Sequence, residues 1–157
     1  MIPVELQNFL VEETQSLFAG LKLKNTNGEL SPLNVYPQYL PYGTSQDTAS
    51  PFPYIRVILV DGEDPSATEP NQCRVLFLVG VYDDDRNNQG YWDVLSIVQK
   101  LYGHLMRNMI FQGKYELVYP VKWNLTNEEL ENTWPYFFGA METNWTLGKI
   151  GVTDTLT

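Results

Sequence analysis

The chain has 157 residues, 43% of them apolar, with 19 acidic against 10 basic side chains and a net charge of −9. That length suffices for one domain that buries roughly 70% of the unfolded chain's surface, while the acidic balance argues against independent binding to nucleic acid or to an anionic membrane. The lone cysteine, Cys73, excludes an internal disulfide and fits a reducing compartment; no secretory signal opens the chain and no apolar run is long enough to span a bilayer.

Pro3 followed by "VELQNFLVEETQSLFAGL" predicts a helix. Proline suits the first turn, Glu5 suits the positive end of the dipole, and Gly20 is the expected C-cap. Leu6, Phe9, Leu10, Leu17 and Phe18 form its apolar face, with Glu13 and Thr14 as a weak middle. "NTNGEL" predicts a turn, with Asn27-Gly28 as a hairpin signal. The segment from Val35 to Pro53 carries Pro37, Pro41, Pro51 and Pro53, which argue against a helix or a central strand. It also carries Tyr36, Tyr39 and Tyr42, too many aromatics for an idle solvated loop.

"YIRVILV", Tyr54 to Val60, predicts a β-branched strand, and "DGEDPSATEPNQ" an acidic connector. Cys73 to Tyr82 predicts the clearest strand. Cys73, Val75, Phe77, Val79 and Val81 face one way, and Leu76, Leu78 and Tyr82 the other, so both faces are expected to be largely covered. Gly90 to Met109 predicts a helix with a stripe of Tyr91, Val94, Leu95, Val98, Leu101, Tyr102, Leu105 and Met109. Gly113 ends this segment. Lys114 to Trp123 predicts a strand at an edge or with a bulge, because Pro120 lacks the ladder donor. An acidic tip containing Glu128, Glu129 and Glu131 leads to a last strand, Tyr136 to Ile150, with an irregularity expected at Gly139. Residues 151–157 are expected to fray.

The expected fold is therefore α+β. Residues 1–150 make one domain, with an antiparallel or mixed sheet of four or more strands packed against helices. The expected order is helix-strand-strand-helix-strand-strand, with sequential strands paired as hairpins.

The candidate chemistry is sparse. Asp83, Asp84 and Asp85 offer three carboxylates, but adjacent residues point in different directions and EF-hand spacing is missing. Turn formers surround them. The reading favoured here is a strand-to-helix connector, with Asn87 or Asn88 as the helix cap; the alternative is a metal site completed by Glu63 or Asp64. His104 is the only histidine and is placed off the apolar stripe, on the surface. Cys73 opens a buried strand, where a thiol behaves as a small hydrophobe. No nucleotide-binding or serine-hydrolase motif is present, and no catalytic residue, metal or cofactor is assigned.

The stretches "PFPYIRVILVDGEDP", "VLFLVGVYDDDRNNQGYWDVLSIVQKL", "YELVYPVKWNL" and "PYFFGAMETNW" occur in an order that resembles the tail terminator, or tail completion, proteins of long-tailed bacteriophages, in the version found in phages of Gram-positive bacteria. The likeness spans about Pro51 to Trp145. It implies a structural virion protein of the tail or neck, assembled in the bacterial host cytoplasm, that is not an enzyme. Such a protein forms a homo-oligomeric ring, typically a hexamer, which caps the tail tube, stops its elongation and joins the head–tail connector protein. Other neck or tail-tube proteins of the same fold remain the alternative station. Tyr36, Tyr39, Tyr42 and Pro120 are the expected subunit-interface residues. Asp61, Glu63, Asp64, Glu69, Glu128, Glu129 and Glu131 are expected in acidic loops that face the tail tube protein or the connector. A third reading takes the three tyrosines as the lining of a binding groove.

Overall fold

The computed structural model describes residues 2–41, 50–86, 89–125 and 133–148. The order along the chain is α1 (Ile2–Leu17), β1 (Lys22–Lys24), β2 (Leu30–Pro32), β3 (Asn34–Pro37), β4 (Tyr54–Glu63), β5 (Asn71–Tyr82), α2 (Gly90–Arg107), β6 (Ile110–Phe111), β7 (Tyr115–Leu125) and β8 (Tyr136–Leu147). This corrects the expected helix-strand-strand-helix-strand-strand order. The additional strands, β1, β2, β3 and β6, are two to four residues long. Segments so short cannot display a two-residue alternation, so sequence periodicity passes over them.

Six strands form one sheet in the order β3-β4-β5-β8-β7-β6. β5 pairs antiparallel with β4 on one side and with β8 on the other, the latter over its whole length from Asn71↔Leu147 to Tyr82↔Tyr136. β8 thus inserts between β5 and β7 rather than ending the sheet. β3 runs parallel to β4, so the all-hairpin expectation fails there. Pro37 closes this short edge strand, where a missing donor costs little. β1 and β2 form a separate hairpin whose turn uses Gly28 at φ 81, as the Asn-Gly pair predicts.

Both helices lie on one face. The inward row of β5, Cys73, Val75, Phe77, Val79 and Val81, is buried under Leu6, Leu10, Val94, Ile97, Val98, Leu101 and Leu105. The opposite face is only half covered: Leu76, Leu78 and Tyr82 remain partly exposed, against the expectation of two covered faces. The buried stripe of α2 is also rotated from the expected one. Ile97 lies inside, Leu95 is half-buried and Tyr102 is exposed.

Three local expectations change. α1 ends at Leu17, and Gly20 does not adopt the left-handed cap. Gly139 carries no irregularity against β5; the bulge lies in β7, between Val118 and Lys122. Gly139 is instead needed for close approach, since a Cβ there would stand 2.5 Å from Val94 Cγ1. Residues 151–157, and with them the expected fraying, lie outside the described residues.

These contacts rank substitutions on α2. Leu105→Ala removes a fully buried side chain and should cost about 2–5 kcal/mol, whereas Leu95→Ala, half-buried at the surface, should cost no more than about 1 kcal/mol. Urea unfolding of the two variants measures the difference; equal costs would contradict this placement of the helix.

Candidate functional site

The expected interface residues occupy three different settings. Tyr36 lies on β3, beside Arg56 of β4, and is half-buried; burial pushes its phenol above the ordinary value. Tyr39 stands free at 74% exposure, the highest among the exposed large apolar side chains. Tyr42 lies outside the described residues. Pro120 is exposed within the β7 bulge, and its carbonyl accepts from Asn144 Nδ2 at 2.8 Å. Both alternatives for β7 hold together. The strand is bulged, and beyond the two residues paired with β6 its outer edge pairs with no strand among the described residues.

A hydrogen-bond device fixes the position of Tyr39. Gln38 is one of two non-glycine residues with positive φ among the described residues, at 65°. Its backbone N–H donates to the Val57 carbonyl at 2.9 Å. Its side-chain amide then continues the pairing that the backbone abandons: Oε1 accepts from Leu59 N at 2.9 Å and Nε2 donates to Leu59 O at 3.0 Å. Gln7, buried on α1, donates to Gln38 Oε1 at 2.7 Å and to the Val57 carbonyl at 2.9 Å. Arg56 Nε donates to the Gln38 carbonyl at 2.9 Å. The amide thus imitates a peptide group at the end of β3, while the backbone turns through a sparsely populated conformation and delivers Tyr39 to solvent. A left-handed non-glycine residue persists where its surroundings over-determine it, and such residues cluster at functional positions. Sequence reasoning selected Tyr39 but missed Gln7 and Gln38, because two glutamines 31 residues apart carry no spacing signal.

At the opposite end of the sheet, a groove of about 580 Å³ lies between α2 and β7. Leu95, Gln99 and Tyr102 line it from the helix, and Val121 and Trp123 from the strand. Tyr102 and Trp123 are 42% and 59% exposed, so the groove is open and aromatic. The sequence signal was present in Trp123 and Tyr102, but helical spacing assigned Tyr102 to the core.

The acidic residues are not one loop surface. Asp61 and Glu63 belong to β4, which runs three residues beyond its expected end at Val60. Asp61 receives both Arg74 Nε (2.8 Å) and Nη2 (2.6 Å), and Arg74 Nη1 donates to Glu142 at 2.6 Å. The bond from Arg74 holds the Asp61 carboxyl below its usual range, and the two carboxylates raise Arg74. Asp61 and Arg74 line a hollow of about 570 Å³ on the open sheet face, with Tyr119 and Pro120 of the bulge on its far side. Asp64 and Glu69 lie in the β4–β5 connector; Glu128, Glu129 and Glu131 fall outside the described residues.

The remaining candidates have local roles. Asp83 Oδ1 accepts from Asp85 N at 3.0 Å, an Asx turn, and Asp84 pairs with Lys24 at 3.4 Å. Asn87 and Asn88 lie outside the described residues; the N-cap position of α2 is Gln89, which makes no side-chain cap bond. Among the described residues, no three His, Cys, Asp or Glu side chains are grouped to hold a metal ion. His104 is not an idle surface residue: its Nε2 meets Glu13 Oε1 at 2.9 Å and bridges the two helices. Cys73 is buried, and burial first, then the Asp61 charge, pushes its thiol up, away from a reactive thiolate. No described helix is long and apolar enough to cross a membrane.

No protein-family model matches this chain, and no curated protein matches it.

The Asp83 turn leads to a pH dependence. Asp93, in the first turn of α2, has its carboxyl pushed above the ordinary value, by burial first and by the Asp83 charge second. The folded state then holds that proton more tightly than the unfolded chain, so stability falls as pH rises from the unfolded value through the folded one. Asp93→Asn should raise the Tm at pH 7, with the gain shrinking toward pH 3. Thermal unfolding across that range measures it; a gain that grows on acidification has the wrong sign.

Proposed function

We propose that this chain is a ring-forming structural protein of a long-tailed phage, of the tail terminator type. It closes the end of the tail tube and presents the surface that joins the head–tail connector. The resemblance of the four sequence stretches supplies the class. The observation that carries the assembly is the pair of sheet margins: the outer edges of β3 and of the distal half of β7 pair with no described strand, they lie on opposite sides of one sheet, and exposed aromatic side chains stand beside them, Tyr39 just past β3 and Tyr119 and Trp123 on β7.

Unpaired edges invite pairing with another chain, and soluble proteins ordinarily guard them. Two different surfaces at opposite ends suit a head-to-tail contact, in which one patch meets a different patch on the next subunit; such a contact closes into a ring when the rotation allows. The net charge of −9 keeps the unassembled subunit soluble. The open sheet face, with Asp61, Glu63, Arg74 and Glu142, is left for the tube or the connector. A structural rather than catalytic role is consistent with carboxylates engaged in turns and ion pairs and with a buried thiol.

Light scattering behind size exclusion, over a range of concentrations, should show a discrete species of several subunits, and negative-stain microscopy should show it as a ring. Added to polymerising tail tube protein, the ring should stop tube growth. A strict monomer at every concentration contradicts the reading. A ring that leaves growth unaffected moves the protein to another station in the neck or tail.

A further inference from the structure

We infer that the hollow on the open sheet face is a binding site for a neutral saccharide. It stands apart from the two sheet margins, so it holds whether or not the chain closes into a ring. Strand register sets its floor. Arg74 of β5 stands directly opposite Asn144 of β8, and Gln72, two residues before Arg74, is on the same side. Directly opposed side chains on one face start about 5 Å apart, so these polar heads share one patch. Glu63 of β4, opposite Gln72, stands on one wall. The other wall comes from the β7 bulge: between the pairs Val118↔Asn144 and Lys122↔Glu142, residues 119–121 face only Thr143 of β8. Tyr119 is 68% exposed there, and Asn144 Nδ2 ties this wall to the floor through the Pro120 carbonyl at 2.8 Å. The volume, about 570 Å³, is that of a small-ligand pocket.

The bonding capacity left open in the hollow selects the ligand. Arg74 spends three of its five N–H bonds on Asp61 and Glu142 and keeps one on each Nη. Its charge is already met twice, so an anionic ligand finds no free cation here. Asn144 keeps its Oδ1, and the side chains of Gln72, Glu63 and Tyr119 meet no hydrogen-bond or ion-pair partner among the described residues. The open set therefore holds both donors and acceptors beside one aromatic ring. A lysine or arginine side chain would satisfy Glu63 but has no acceptor for the donors of Gln72 and Arg74. A peptide adding as a strand needs a free edge, whereas β5 and β8 are paired on both sides. Sugar hydroxyls donate and accept from the same atom, and the C–H face of a sugar ring lies against the negative face of an aromatic ring such as Tyr119.

The test is a titration of the nitrogen-labelled full chain with maltotriose, cellotriose and the trisaccharide of N-acetylglucosamine, followed by NMR at the side-chain amides of Gln72 and Asn144. At least one trisaccharide should shift both amides and saturate at millimolar concentration. Tyr119→Ala, at an exposed position, should keep the Tm and weaken that binding about tenfold, as loss of an aromatic platform does, while Tyr119→Phe should bind as the wild type does. If Tyr119→Ala lowers the Tm, the exposed Gln72→Ala decides in its place, and unchanged binding there overturns the site. The inference also fails if none of the three sugars moves the two amides, or if Tyr119→Ala folds normally and binds as tightly as the wild type. A lysine tripeptide that shifts these amides where the sugars do not assigns the hollow to a basic protein partner and overturns it as well.

Discussion

The inward row of β5 is the constraint from which the other features follow. Five alternate side chains, Cys73 to Val81, are almost completely buried, and the strand is held on both sides, by β4 and by the whole length of β8. Burying that row requires a cover, and the described residues supply two helices for it. Both go to the same side. α2 approaches so closely that Gly90 and Gly139 occupy places where a Cβ would collide with Phe137 and Val94. With both helices on one face, the other face and the outer edges of β3 and distal β7 are covered by no described helix or strand.

Part of what remains uncovered is organised by polar contacts. Arg74, gripped by Asp61 and Glu142, ties β4, β5 and β8 together across the open face, where an exposed pair adds geometry more than stability. Gln38 and Gln7 do the same at the β3 end, inside the edge of the core, where a satisfied amide network fixes one conformation. The consequence for function is positional. The sheet carries an exposed tyrosine, Tyr39, just past β3 on one side and an open aromatic groove beside β7 on the other.

Legibility in the sequence followed element length. The row Cys73, Val75, Phe77, Val79 and Val81 was readable because five alternations exceed chance, and Leu101 and Leu105 because α2 runs 18 residues. β3 was not readable: four residues ending in Pro37 look like loop, and their pairing with β4 is parallel and set by tertiary contacts. The β7 irregularity was legible in Pro120, which cannot donate, whereas Gly139 misled because a glycine in a strand signals either a bulge or a close neighbour, and here the neighbour is Val94. Tyr39 was conspicuous by composition. The device that presents it was invisible, since Gln7, Gln38 and Leu59 meet only in the folded chain.

A ring of the proposed kind uses the two ends of the sheet together. Amide hydrogen exchange at low and high protein concentration tests this directly, because each edge reports separately. Protection should rise on assembly both in residues 34–41 and in residues 117–125, over the same concentration range, while the inward row of β5 stays unchanged. Protection gained at one end alone, or only on the open face around Arg74 and Glu142, would contradict it.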